Sequence, residues 1–235
     1  MEHPLPVRRR QLRTLAGAAY GSLALVDTAL AAGPTGWHRA RLVTKPLLMP
    51  ALMVRTLTGP GTAGPLTVAA QGLSWGGDVA LLRHGRGSFL AGTGSFLAAH
   101  LAYIAAHRSR SSTPVLATAG RRRLLAAGVV GGTGLAIAAA RQERMLGVPV
   151  ATYGATLATM VTAAAAVDPE RGRSRILAGA VLFLVSDTLL GNRLFVLDQD
   201  APLLEAGVMA TYTAAQWWLA EGLAQAAAQG SAQAQ

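Results

Sequence analysis

The stretch LAGAVLFLVSDTLLGNRLFVL, Leu177 to Leu197, decides the fold class. A bilayer core of about 30 Å is crossed by about 20 helical residues, and this apolar run is long enough. Yet it carries a carboxylate, Asp187, well inside. An ionisable side chain at membrane depth costs several kcal/mol unless it faces a partner or a cavity, so Asp187 marks a place to look for function.

Working outward, similar runs recur between short charge clusters. They predict helices near 12–32, 40–57, 64–82, 88–106, 121–140, 147–166, 174–195 and 202–224. Turn chemistry separates them: Gly33-Pro34, Gly59-Pro60-Gly61, Gly85 with Gly87, Ser111-Ser112-Thr113-Pro114, Gly147 with Pro149, and Asp168-Pro169. The expected architecture is an all-α bundle of about eight transmembrane helices. Residues 1–226 form a single integral membrane domain, and 227–235 read as a low-complexity, disordered tail. The basic start, followed by an apolar run and Ala29-Leu30-Ala31, has the outline of a signal peptide. The run is long for one, so it is read as an uncleaved first helix.

Composition agrees, with 51% hydrophobic and 14% charged residues and a mean hydropathy of +0.36. The net charge of +10 comes from residues flanking apolar runs, which indicates topology signals and headgroup contacts rather than a nucleic-acid face. Basic residues in alternate loops are unequal. The larger set includes Arg8–Arg10, Arg55, Arg108, Arg121–Arg123 and Arg171–Arg175, which predicts cytoplasmic termini. There is no cysteine, which excludes disulfides and thiol nucleophiles. The five histidines lack metal-ligand spacing, so neither a metal nor another cofactor is expected. Gly17xxxGly21 and Gly128xxxGly132 permit close helix approach; they are compatible with a homodimer without demonstrating one.

The ionisable residues inside the runs are Asp27, Lys45, Asp78, His100, Asp187 and Glu205. Gln71, Ser74 and Asp78 share a helix face, as do His100, Tyr103 and His107, and as do Glu205, Met209, Tyr212 and Gln216. Polar faces on several helices imply an internal cavity. His107 and Glu205 lie near helix ends, at interfacial depth. Asp78 and Asp187 fall in the same, outer half of the membrane, where two carboxylates can divide the roles of acid and base. Each can equally make an interhelical hydrogen bond or pair with Arg83 or Arg193. Intramembrane carboxylates also serve as proton relays, so a proton-coupled small-molecule or lipid transporter is the alternative class.

Six motifs in order carry a further signal: TKPLLMP (Thr44–Pro50), WGGDVALL (Trp75–Leu82), FLAGTGSFLAAHLAYI (Phe89–Ile104), VPVATYGATLATM (Val148–Met160), GAVLFLVSDTLLGNRLF (Gly179–Phe195) and VMATYTAAQWWL (Val208–Leu219). Together they resemble the YhhN family, the lysoplasmalogenases. The resemblance implies an eight-helix membrane hydrolase of the bacterial plasma membrane. Its substrate is a lysophospholipid whose vinyl ether bond is cleaved to a fatty aldehyde and glycerophospho-ethanolamine or -choline. The family's GD and SD aspartates match Asp78 and Asp187, expected to be catalytic. Around them, Lys45 and Arg193 are expected to hold the phosphate. Tyr153, Tyr212, His100, Tyr103, Asn192 and Gln216 are expected to orient glycerol and water. The first helix has no matching motif, so Asp27 inherits no role.

Overall fold

A computed structural model describes residues 7–59, 64–197 and 201–233. Among them there are eight α-helices and no strand: α1 Val7–Ala32, α2 His38–Leu57, α3 Pro65–Leu81, α4 Arg86–Arg108, α5 Ala119–Gln142, α6 Gly147–Ala166, α7 Arg173–Phe195 and α8 Pro202–Gln233. Five are long and apolar enough to cross a bilayer: α1, α4, α5, α7, and α6 together with the 3-10 turn before it. The chain is therefore an integral membrane helical bundle.

The predicted boundaries hold to within a few residues, with two exceptions. Helix α1 begins at Val7 because its arginines and glutamine are good helix formers and continue the run backwards. Helix α8 runs to Gln233, so the expected disordered tail is helical over most of its length. Its alanines and glutamines favour helix, and no proline stops it; residues 234 and 235 lie outside the described segments.

Consecutive helices alternate in direction. Seven form a closed ring in the order α1, α2, α3, α4, α6, α7, α8 and back to α1, while α5 packs on the outside of α6 and touches α7. Small residues set this geometry. On α5 and α6 the backbones of Gly132 and Gly154 meet so closely that a Cβ on either would lie 3.0–3.1 Å from the other's Cα. The Gly128xxxGly132 pattern is thus spent on packing α5 against α6 within the chain. At the α6–α7 turn Gly172 has φ +76, and a Cβ there would lie 2.5 Å from the carbonyl oxygen of Gly222. Only glycine satisfies both demands.

Helix α2 contains Pro46 and Pro50. Pro50 has no N–H, which frees the carbonyl of Pro46 four residues earlier. The Trp75 indole takes it at 2.9 Å and ties α2 to α3.

The two ends of the bundle differ. At the end where α1 starts and α8 finishes, Leu52, Met160, Ile176, Leu219 and Leu223 form a closed core. The other end, framed by the α1–α2, α3–α4 and α7–α8 connections, is hollow.

Candidate functional site

The hollow is a cavity of about 1460 Å³. Its wall changes character with depth. The mouth carries Arg39, Arg41, Lys45, Arg83, His84 and Arg193. Asp78, Tyr153, Asp187 and Tyr212 follow below it. Deeper still the lining is apolar, from Leu124, Ala127 and Gly128 on α5 and Leu157, Ala158 and Val161 on α6. From Leu135 to Leu124 this arm follows α5 for eleven residues, about 16 Å.

Helices α3 and α7 bring Asp78 and Asp187 to one cavity. Each is held by a phenol. Tyr212 donates to Asp78 Oδ2 at 2.6 Å, and Tyr153 donates to Asp187 Oδ2 at 2.5 Å. The two tyrosines share a ring-on-ring support: Tyr212 meets Phe183 edge-on at 5.5 Å, Phe183 meets His100 at 4.8 Å, and His100 meets Tyr153 at 5.2 Å. Such contacts fix ring orientation and therefore the direction of both hydroxyls.

The carboxylates differ in their ionic partners. Lys45 Nζ lies 3.5 Å from Asp78 Oδ1. None of the ion pairs among the described residues involves Asp187. No group of acidic and histidine side chains among the described residues is arranged to hold a metal ion.

Beside the mouth lies a second ionic cluster. Arg41 is buried and contacts Asp27 at 3.3 Å while also pairing with Glu205. Thr44 donates to Asp27 at 2.5 Å, and Arg193 reaches Glu205 at 2.9 Å. These contacts join α1, α2, α7 and α8. Glu205 is half-buried inside this cluster, and His107, in the last turn of α4, is fully buried under the Tyr103 ring.

Of the residues singled out in the sequence as site candidates, Lys45, Asp78, Tyr153, Asp187, Asn192, Arg193 and Tyr212 line the cavity, and so do Glu205 and Met209. His100, Tyr103 and Gln216 do not, which corrects their expected place at the substrate. Periodicity identified their helix faces correctly, but those faces turn into the bundle below the cavity floor, where His100 meets the rings of Tyr153 on α6 and Phe183 on α7. There Tyr103 donates to Gln216 Oε1 at 2.7 Å. Arg41 was missed because a basic residue near a helix end reads as a topology flank. Its register was informative: Arg41, Lys45, Leu48 and Leu52 share the inward face of α2.

The sequence profile of the YhhN family matches residues 40–223. The chain belongs to the YhhN family. No curated protein and no solved structure matches it. The YhhN match runs from the start of α2 nearly to the visible end of the α8 core, so it takes in both cavity aspartates, their tyrosines and Lys45. It leaves out α1, and with it Asp27.

Proposed function

We propose that this YhhN protein is a lysoplasmalogenase-type hydrolase of the bacterial plasma membrane, cleaving the vinyl ether bond of alkenyl-glycerophospho-ethanolamine or -choline. The observation that carries the reading is the order of chemistry along the cavity: cations at the mouth, two carboxyls in the middle, an apolar arm at depth. A lysophospholipid has the same order, from phosphate through the glycerol ether to the alkyl chain. With cytoplasmic termini, the mouth opens toward the outer leaflet.

The two carboxyls take different parts. Lys45 compensates Asp78, so Asp78 is the carboxylate. Asp187 has a phenol and no cation, so it carries the proton. Asp187 gives that proton to the alkene carbon distal to oxygen, and the carbon bonded to oxygen becomes an oxocarbenium ion that the Asp78 carboxylate stabilises. Water bonds to that carbon and its proton passes to Asp78, giving a hemiacetal. The hemiacetal hydroxyl then returns a proton to Asp187, the glycerol oxygen takes one from Asp78, and the carbon–oxygen bond breaks. Aldehyde and alcohol leave, one water has been consumed, and both carboxyls are as they began. Arg193, with Arg39 and Arg83 at the mouth, supplies donors for the phosphate.

Purified protein given matched vinyl ether, acyl and alkyl lysophospholipids tests the reading. Aldehyde release from the vinyl ether alone is expected. Equal turnover of the acyl lipid, or none of the vinyl ether, overturns it.

A further inference from the structure

A bound lysolipid that fills both mouth and arm leaves open how water reaches the reacting carbon. The bundle holds a second polar feature at that point, below the cavity floor. Thr67, Gln71, Ser74 and Asp78 lie on one face of α3, and all four are buried. They span eleven residues, about 16 Å, from the closed end of the bundle to the cavity.

Hydrogen bonds fix the orientation of this column. Thr56 Oγ1 donates to the Leu52 carbonyl at 2.9 Å, so toward Gln71 it can only accept. Gln71 accordingly turns its amide nitrogen to Thr56 at 3.0 Å, and its carbonyl oxygen faces away. On the other side Gln216 accepts from Tyr103 at 2.7 Å and donates to Ser74 Oγ at 3.0 Å.

Two acceptors in the column, Gln71 Oε1 and Thr67 Oγ1, have no partner among the described residues, although Gln71 is 0% and Thr67 1% exposed. Buried polar atoms in native proteins are almost always satisfied, and where protein groups do not serve them, ordered water does. In a membrane bundle the pressure is greater, since lipid offers no hydrogen bonds.

We propose that this column is a file of buried water that feeds the hydrolytic water to Asp78 from below the cavity floor, on the side away from the lipid mouth. Its purpose rests on the hydrolysis reading; its hydration does not. Gln71 is a positioning residue for water, two turns of helix away from the carboxylate that activates it.

Synchrotron hydroxyl-radical footprinting of the full-length protein in nanodiscs, paired with lysoplasmalogen kinetics, tests both parts. Tyr103, which is 0% exposed and joins the column through Gln216 and Ser74, should be oxidised as fast as exposed aromatic residues, because radicals form on water in the column. The near-isosteric Gln71→Leu should suppress that labelling. It should also lower kcat roughly tenfold at unchanged KM, the factor for one lost hydrogen bond in the file that supplies the water. Gln71→Asn, which keeps an amide, should restore both. An unlabelled Tyr103 in the unaltered protein overturns the water file, and this arm stands even when a variant fails to fold. Full kcat in a Gln71→Leu protein that has lost its labelling overturns the supply role. Absence of aldehyde release by the unaltered protein overturns the hydrolysis reading and the supply role, while Tyr103 labelling still decides whether the column holds water.

Discussion

Two acidic centres lie side by side at the hollow end of the bundle, and they are built differently. Asp27 and Glu205 are met by arginines: Arg41 contacts both, and Arg193 contacts Glu205. Asp78 and Asp187 are met by tyrosines, and Asp78 by one lysine as well. A carboxylate saturated by guanidinium is a structural tie, because a proton would have to displace a strong bidentate donor. A carboxyl held by a phenol is oriented without being neutralised, and it remains available to give or take a proton. The difference separates a joint from a reaction centre, although both consist of buried acids.

The sharpest way to break this comparison is to replace each carboxyl of the reaction centre by an amide. Asp187→Asn should lower aldehyde release by about 10²–10⁴-fold, the contribution of a positioned general acid, with little change in thermal unfolding. Asp78→Asn should lose activity to a similar extent and, by stranding Lys45, also lose stability. Activity within a few-fold of the unaltered protein in either case would remove the reaction centre from this site.

The joint should respond in the opposite way. Arg41→Met leaves Asp27 buried without a counter-charge, and should cost about 3–5 kcal/mol in unfolding free energy. Turnover per folded molecule should change far less than in the aspartate variants. The double variant with Asp27→Asn should recover most of the loss. If the single variant unfolds like the unaltered protein, the cluster is not a tie.

A smaller effect tests how the phenol is used. Tyr153→Phe removes one hydrogen bond of 2.5 Å from Asp187 and leaves the ring on His100. Turnover should fall roughly tenfold, with binding of a non-hydrolysable alkyl analogue unchanged.

The smallest effect concerns a third acidic site, outside the membrane-spanning segments. Asp168 accepts from the Ser112 amide and hydroxyl at 2.8–3.2 Å, and Arg171 and Arg173 lie nearby. The Ser112 bonds come first, and with the arginines they lower its pKa below the usual carboxylate value. Its stabilisation is therefore complete above the unfolded pKa and is lost as pH falls through the folded one. Amide exchange in the α6–α7 connection should quicken at acid pH, and Asp168→Asn should flatten that dependence.

The helices and half of the site were legible in the sequence because lipid makes polar residues conspicuous. Asp78 and Asp187 stood out against apolar runs, and their distances from helix ends placed them at one depth. Lys45 stood out in the same way, as a charge inside an apolar run, while Tyr153 was named only after the resemblance of its motif. The reach of α8 was hidden because a run of alanine and glutamine has no periodicity that separates helix from tail. Helical period names a face but not what that face looks toward, so Tyr103 and Gln216 were assigned to substrate when they bond each other. Arg41 was hidden for a related reason: the same residue type sets topology when it lies outside and ties helices when it lies inside.

The prolines of α2 have a mechanical consequence. Pro46 and Pro50 remove two rungs from the backbone ladder, and the carbonyl freed at Pro46 is held by an indole on another helix. Lys45 is the residue next to the first missing rung. Bending α2 at this point breaks fewer of its own hydrogen bonds than bending elsewhere along it. The counter-charge of Asp78 is therefore mounted on a hinge, and Trp75 acts as its catch.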